Sequence, residues 1–201
     1  WLRRTKLPEI KELSKEEQLY ILNETDSFFK NLFSILPGKW LSKPDSIYNA
    51  ENKFLQLKIA QQLGFNIPKT LITNSKNDLR QFYEANNKNI IIKPISQTRI
   101  DYNETQAFIF TNIVPDALIQ EMEKYDLTPC LFQECISKEY EVRVTVIGQE
   151  VFAAAVYSQE DIETKIDWRK KKLKFIETKL PSNTEQLCLK LLDRLGLDFG
   201  A

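Results

Sequence analysis

Apolar side chains recur with a helical period in some stretches of this chain and with a two-residue period in shorter ones. Leu22, Phe29, Leu32, Phe33 and Leu36 fall on one face of a helix. Ser14-Lys-Glu-Glu17 precedes them as a capping box, in which the Ser14 hydroxyl and the Glu17 carboxylate satisfy free amides. That predicts a helix from there to about Leu36. "LPGKWLSKPDSIYN" then breaks it with two prolines and a glycine. Trp40 in that stretch reads as a packed loop anchor, because a large aromatic gains most from burial. Leu55, Ile59 and Leu63 predict a second helix over Ala50–Leu63, capped by Asn49. Gly64 suits the left-handed residue after it, and Phe65 the apolar contact that follows. Ser75 caps a third helix, with Asp78 near its N-terminus. Ser182 and Glu185 form another capping box ahead of Leu187, Leu191, Leu192 and Leu195, and Gly196 ends that helix.

The β signals lie between these helices. "FNIPKTLIT" is extended, and "NIIIKPI", "AFIFT" (Ala107 to Thr111) and "PCLFQE" read as strands. "YEVRVTV" and "EVFAAAV" form a hairpin around Gly148. Val142, Val144 and Val146 point one way along it, Arg143 and Thr145 the other. "SQTRIDYNET" is polar and reads as a hairpin loop. "SQEDIETKIDWRKKKLKF" is polar and mixed in charge. Helix, helix, strands, hairpin, helix is an α+β order, with helices packed on antiparallel sheets.

Composition narrows the function. Of 201 residues, 42% are hydrophobic and 28% charged, as in ordinary globular domains. Lys+Arg and Asp+Glu are both 28, so no global field favours nucleic acid or a membrane surface as partner. No apolar run approaches a membrane helix and no signal-peptide pattern opens the chain. Cys130, Cys135 and Cys188 are odd in number and lack CxxC spacing, which suits reduced thiols and a cytoplasmic location. There is no histidine, which removes Ser-His and Cys-His catalysis and histidine metal sites. The five glycines form neither GxGxxG nor a P-loop. Chemistry is left to Lys, Arg, Asp, Glu, the backbone and a bound metal. The chain opens on Trp1 and stops at Ala201 just after a helix, which predicts a part of a longer protein.

Charges crowd the middle of "FQECISKEYEVRVTVIGQEVFAAAV". Glu134 follows a strand, where a carboxylate or carbonyl can accept from an exocyclic amine. Glu141 lies seven residues on and can accept from two adjacent sugar hydroxyls. Arg143 sits on the same face, and an arginine in an apolar strand needs an anionic partner. A structural Glu141–Arg143 pair on the solvated side of the hairpin explains the same residues. Lys93 ends an apolar strand, as a ligand for an anion or as an edge lysine that discourages aggregation. Lys53 on the second helix has the same two readings.

Lys53 in "AENKFLQLKIAQQLGFNIPKTLIT", Lys93 in "IIIKP", "FQECISKEYEVRVTVIGQEVFAAAVYSQ" and "DWR" together resemble the ATP-grasp superfamily. They are most similar to its microviridin-type, or graspetide, peptide maturases. "WLRR" resembles the end of the domain that precedes the ATP-grasp fold there. The resemblance implies ATP between two antiparallel sheets. Residues 1–48 would end the preceding domain and its linker helix, 49–132 would form the central subdomain, and 133–201 part of the C-terminal one. It further implies phosphate contacts from Lys53 and Lys93. Gln133, Glu134, Cys135 and Ile136 would form a hinge around adenine, and Glu141 would bind ribose. Arg143 and Arg169 would neutralise charge on the transferring phosphoryl group and on an acyl phosphate.

The implied reaction activates an Asp or Glu side chain of a ribosomal precursor peptide with ATP, then closes an ester or amide crosslink. The partner is the precursor, leader and core, with a homodimer left open. The segment from Glu160 to Lys174 is either a contact for the leader or a solvated loop. The family's Mg2+ ligands follow an "FGA-hydrophobic" stretch, so they are expected beyond residue 201, and no metal ligand is assigned here. "SQTRIDYNET", where the family often has a glycine-rich lid, has no glycine. Two other readings are a glutamate-ligase-like enzyme that adds amino acids and a non-catalytic partner that binds nucleotide and peptide.

Overall fold

A computed structural model describes residues 13–96, 99–102, 105–121 and 127–201, with only the backbone of 99–102 and 105–107. "WLRR" and residues 97, 98, 103 and 104 of "SQTRIDYNET" lie outside the described residues. The chain divides into two compact units. One holds residues 1–65, 145–151 and 181–201, the other 66–144 and 152–180.

In the first unit, α1 (Lys15–Ile35) starts from the predicted capping box. Ser14 N–H donates to Glu17 Oε2 at 2.9 Å and Glu17 N–H to Ser14 Oγ at 3.2 Å. The predicted apolar side is its less exposed side, yet none of its residues is buried. Phe29 stacks on Phe33 at 5.7 Å, and Phe33 meets the half-buried Trp40 edge-on at 6.1 Å. The next helix differs from expectation. The stretch read as a break contains α2 (Pro44–Ala50), with proline at its first position, where no amide is needed. Asn49 therefore lies inside a helix. Asn52 caps α3 (Lys53–Leu63), its Oδ1 accepting from the N–H of Phe54 and Leu55 at 3.0 and 3.1 Å. Gly64 is left-handed as predicted, φ 92°, and Phe65 N–H closes back on Ala60 O.

The helix α6 (Ser182–Leu195) packs on α3. The expected Ser182–Glu185 box is absent, because Pro181 is the cap residue and its carbonyl takes the N–H of Thr184 and Glu185. Ser42 holds the chain after α6. Its N–H donates to Asp198 Oδ2 at 3.2 Å, and its Oγ accepts from Asp198 N–H at 2.8 Å. Ser42 is buried at φ 66°, a conformation costly for serine that persists where such contacts over-determine it.

The second unit is built on a four-stranded antiparallel sheet ordered β1-β6-β2-β5. The strands are β1 (Thr70–Thr73), β2 (Ile90–Lys93), β5 (Asn112–Ile113) and β6 (Cys130–Glu134). The helix α4 (Lys76–Ala85), capped by Ser75, and the short α5 (Asp116–Gln120) supply Leu79, Tyr83 and Ile119 to a core with Ile90, Val114 and Phe132. Burying each such large apolar side chain contributes about 1.5–3 kcal/mol. Between β2 and β5, the polar stretch read as a loop is partly strand. β3 (Arg99–Tyr102) pairs with β4 (Thr105–Phe108). The strand predicted over Ala107–Thr111 thus starts earlier and stops at Phe108, since ladders depend on backbone pairing and not on apolar content.

A second four-stranded sheet runs β10-β7-β8-β9, from β7 (Glu141–Ile147), β8 (Glu150–Val156), β9 (Ile176–Thr178) and β10 (Phe199–Gly200). Gly148 turns the β7–β8 hairpin at φ 59°. Val146 is buried and Arg143 exposed, as the alternation predicts.

Candidate functional site

The end of β6 is a junction where sheet gives way to turn, and side chains cross it. Gln133 is buried in the middle. Its Oε1 accepts from Lys93 Nζ at 2.7 Å and its Nε2 donates to Thr70 Oγ1 at 2.9 Å. Three neighbouring strands are linked in this way, and Lys93 is anchored rather than swinging at an edge. Glu134 faces Lys69: its Oε1 accepts from Lys69 N–H at 3.0 Å, while Lys69 Nζ stands 3.9 Å from Oε2. Cys135 exchanges bonds with Asn89, through its N–H to Asn89 O at 3.0 Å and its O from Asn89 Nδ2 at 3.3 Å. Ile136 is different. Its main-chain N–H and C=O meet no partner among the described residues, and it is 55% exposed. That leaves one donor and one acceptor on adjacent backbone, the pattern a nucleobase edge can use.

Glu141 opens β7. Its Oε1 accepts from Lys138 Nζ at 2.8 Å and from Ser158 Oγ at 2.7 Å. No hydrogen bond reaches Oε2 among the described residues. Glu141 therefore pairs with Lys138. The alternative Glu141–Arg143 pair does not form, and Arg143 is exposed without an ion pair among the described residues. A β-strand places residues two apart on one face but seldom in contact, whereas the turn before β7 brings Lys138 back onto it.

Arg169 is gripped by Asp167. Its Nε donates to Asp167 Oδ1 at 2.8 Å and its Nη2 to Oδ2. Asp167 is buried and also accepts from Thr111 N–H at 3.0 Å and Arg169 N–H at 3.1 Å. Burial alone would raise the Asp167 pKa. The Arg169 guanidinium and these N–H donors outweigh it and hold the carboxyl well below the usual range. Arg169 is raised in turn, first by its bonds to Asp167, with Glu141 adding a further charge.

Glu141, Arg169 and the Lys93–Gln133 pair all lie in the second unit, where Glu141 adds to the charge around Arg169 and Lys93 joins the β6 junction through Gln133. Lys53 begins α3 in the other unit and is half-buried. Lys138 and Ser158 bond Glu141, and Asp167 bonds Arg169, but sequence reasoning gave none of the three a role. Lys138 stood three residues before Glu141 and Asp167 two before Arg169, spacings that a search for turn-borne ion pairs would have found. Ser158 gave no signal. Segment 160–174 is not simply a solvated loop, for Thr164 and Asp167 in it are buried. Among the described residues no group of three or more acidic or thiol side chains could hold a metal ion.

The family model "Prokaryotic glutathione synthetase, ATP-grasp domain" matches residues 56–197. No curated protein sequence matches. Among solved structures, a RiPP-associated ATP-grasp ligase of Chryseobacterium gregarium, in complex with ADP and a leader and core peptide, is 29% identical over 94% of this chain and 58% of its own, with a TM-score of 0.82. The macrocyclase MdnC of Microcystis aeruginosa MRC, bound with precursor peptide MdnA, is 28% identical over 98% of this chain and 61% of its own, TM-score 0.85. The macrocyclase MdnB of the same organism is 25% identical over the same shares, TM-score 0.75. The chain spans about 60% of the length of these structures.

Proposed function

The chain belongs to the prokaryotic glutathione synthetase ATP-grasp domain family, and from that premise we propose that its protein is an ATP-dependent ligase acting on a ribosomal precursor peptide. A carboxylate oxygen of an Asp or Glu side chain attacks the γ-phosphorus of ATP, and ADP leaves. A hydroxyl or amine of the same peptide then attacks the acyl carbon. Phosphate departs and an ester or amide crosslink remains. The observation that carries this reading is the likeness over 98% of the chain, at 28% identity, to a macrocyclase solved with its precursor peptide.

The residues fit a nucleotide. Ile136 offers main-chain groups to adenine beside Gln133, Glu134 and Cys135. Glu141 offers Oε2 to the ribose. Lys93 would meet the phosphates. Arg169 and the exposed Arg143 would neutralise charge as the phosphoryl group transfers. Asp167 keeps Arg169 oriented, and orientation supplies much of the rate in a reaction between two held groups. Mg2+ would be held by residues outside this chain. The leader would lie against segment 160–174, whose outer charges include Glu163, Lys170 and Lys172.

Because the matching family model carries the name of glutathione synthetase, addition of a free amino acid to a carboxylate is the second reading. Mass spectrometry of full-length enzyme with precursor peptide, free amino acids, ATP and magnesium separates the two. Peptide crosslinking removes one water per ring. A mass gain equal to an amino-acid residue would establish the second reading, and an unchanged peptide would sink the first.

A further inference from the structure

The bonds around Glu141 are distributed unevenly. One oxygen takes both a charged and a neutral donor, and the other takes none among the described residues. Neither donor is loose. Ser158 is fully buried, its Oγ accepts from Gln159 Nε2 at 3.1 Å, and its carbonyl accepts from Thr164 Oγ1 at 2.8 Å. Lys138 Nζ also reaches Ile166 O at 3.4 Å, in the same turn that ends on Asp167 and Arg169. Thr164 Oγ1 further donates to Asp161 O at 3.1 Å. Glu141 is therefore set by a folded polar turn before any ligand arrives.

We propose that Lys138 and Ser158 are positioning residues for nucleotide selection: they fix Glu141 through Oε1 so that Oε2 stands ready for the vicinal hydroxyls of a ribose. The proposal rests on the ribose role of Glu141 given above. A carboxylate held on one side need not be ordered when the sugar binds, which removes part of the cost of association. A site built to hydrogen-bond a hydroxyl also rejects an analogue lacking it, because its acceptor is then left unpaired. Lys138 and Ser158 thus act on the choice between sugars through Glu141, without touching the nucleotide.

The test is calorimetric titration of full-length protein with ATP and with 2′,3′-dideoxy-ATP. Wild type is expected to favour ATP by about tenfold or more. Ser158→Ala and Lys138→Met should shrink that ratio to about two- to threefold, chiefly by weakening ATP and leaving the dideoxy compound nearly as before. Ser158→Thr, which keeps the hydroxyl, should restore most of the preference. If both loss variants keep the wild-type ratio, the proposal is overturned while the ribose role of Glu141 stands. If wild type binds both nucleotides equally, that role fails and the proposal fails with it. Lys138 is partly exposed and its loss leaves no cavity, so Lys138→Met decides the matter should Ser158→Ala not fold.

Discussion

Helix α1 and the segment from Ser158 to Lys174 are opposites. The helix has strong apolar periodicity and a complete capping box, yet buries none of its residues, with Ile35 77% and Tyr20 67% exposed. The segment is polar and charged by composition, yet Ser158 and Thr164 are fully buried and Asp167 is 4% exposed. Periodicity decided what secondary structure α1 takes. It did not decide how deeply α1 sits, which depends on what packs against it. In the segment, hydrogen bonds replace apolar contact. Among the described residues no buried side-chain nitrogen or oxygen lacks a partner, so polar groups can be buried there at little net cost.

The sharpest way to break this contrast is Asp167→Asn. It removes the charge opposing Arg169 and sets an amide donor against a guanidinium. Loss of one partner from a buried pair costs about 3–5 kcal/mol. Since Arg169 is 39% exposed and water screens it, about 2–3 kcal/mol is expected here. Urea unfolding measures it, and an unchanged midpoint would make the pair an ordinary surface contact. The same variant has a pH signature. A carboxyl depressed in the folded state contributes stability that is fully present above its unfolded pKa, about 4, and is lost as pH falls through the lower folded value. Wild type should lose stability below about pH 4 more steeply than Asp167→Asn. Parallel curves would remove Asp167 as the cause.

Thr164→Val is a milder intrusion. It keeps the shape but withdraws the hydroxyl from the carbonyls of Ser158 and Asp161. About 1–2 kcal/mol should be lost, read as a shift in the unfolding midpoint. A neutral result would mean that packing alone holds the turn. The smallest effect belongs to α1. Ile35→Gln should change stability by no more than about 0.5 kcal/mol. A loss several times larger would show that this helix face is covered in solution, and the contrast would narrow.

What could be read in the sequence follows the same division. The α+β order, the antiparallel sheets, the left-handed Gly64, the hairpin at Gly148 and the helix end at Gly196 were legible, because each depends on a few neighbouring residues. Asn52 instead of Asn49 as cap was not, since both suit the position and only Pro44, starting a helix of its own, decides between them. The alternative Glu141–Arg143 pair fails for a different reason. Pattern put Arg143 on its face, but contact came from a turn whose path no periodicity encodes. The bond from Thr111 to Asp167 spans 56 positions and had no local signal at all.

Ser42 and Asp198 are separated by 156 positions. A ribosome adding about 5–20 residues per second needs roughly 10–30 seconds to cover that interval. Throughout it, the early helices wait for the segment that closes their unit. Ser42 does not have to assume its unfavourable backbone angle until Asp198 has emerged. The 66–144 stretch, whose sheet and core need nothing later than Glu134, has finished its own hydrogen bonding well before then. The Ser42–Asp198 contacts thus become possible only after the chain through the 66–144 sheet has been made.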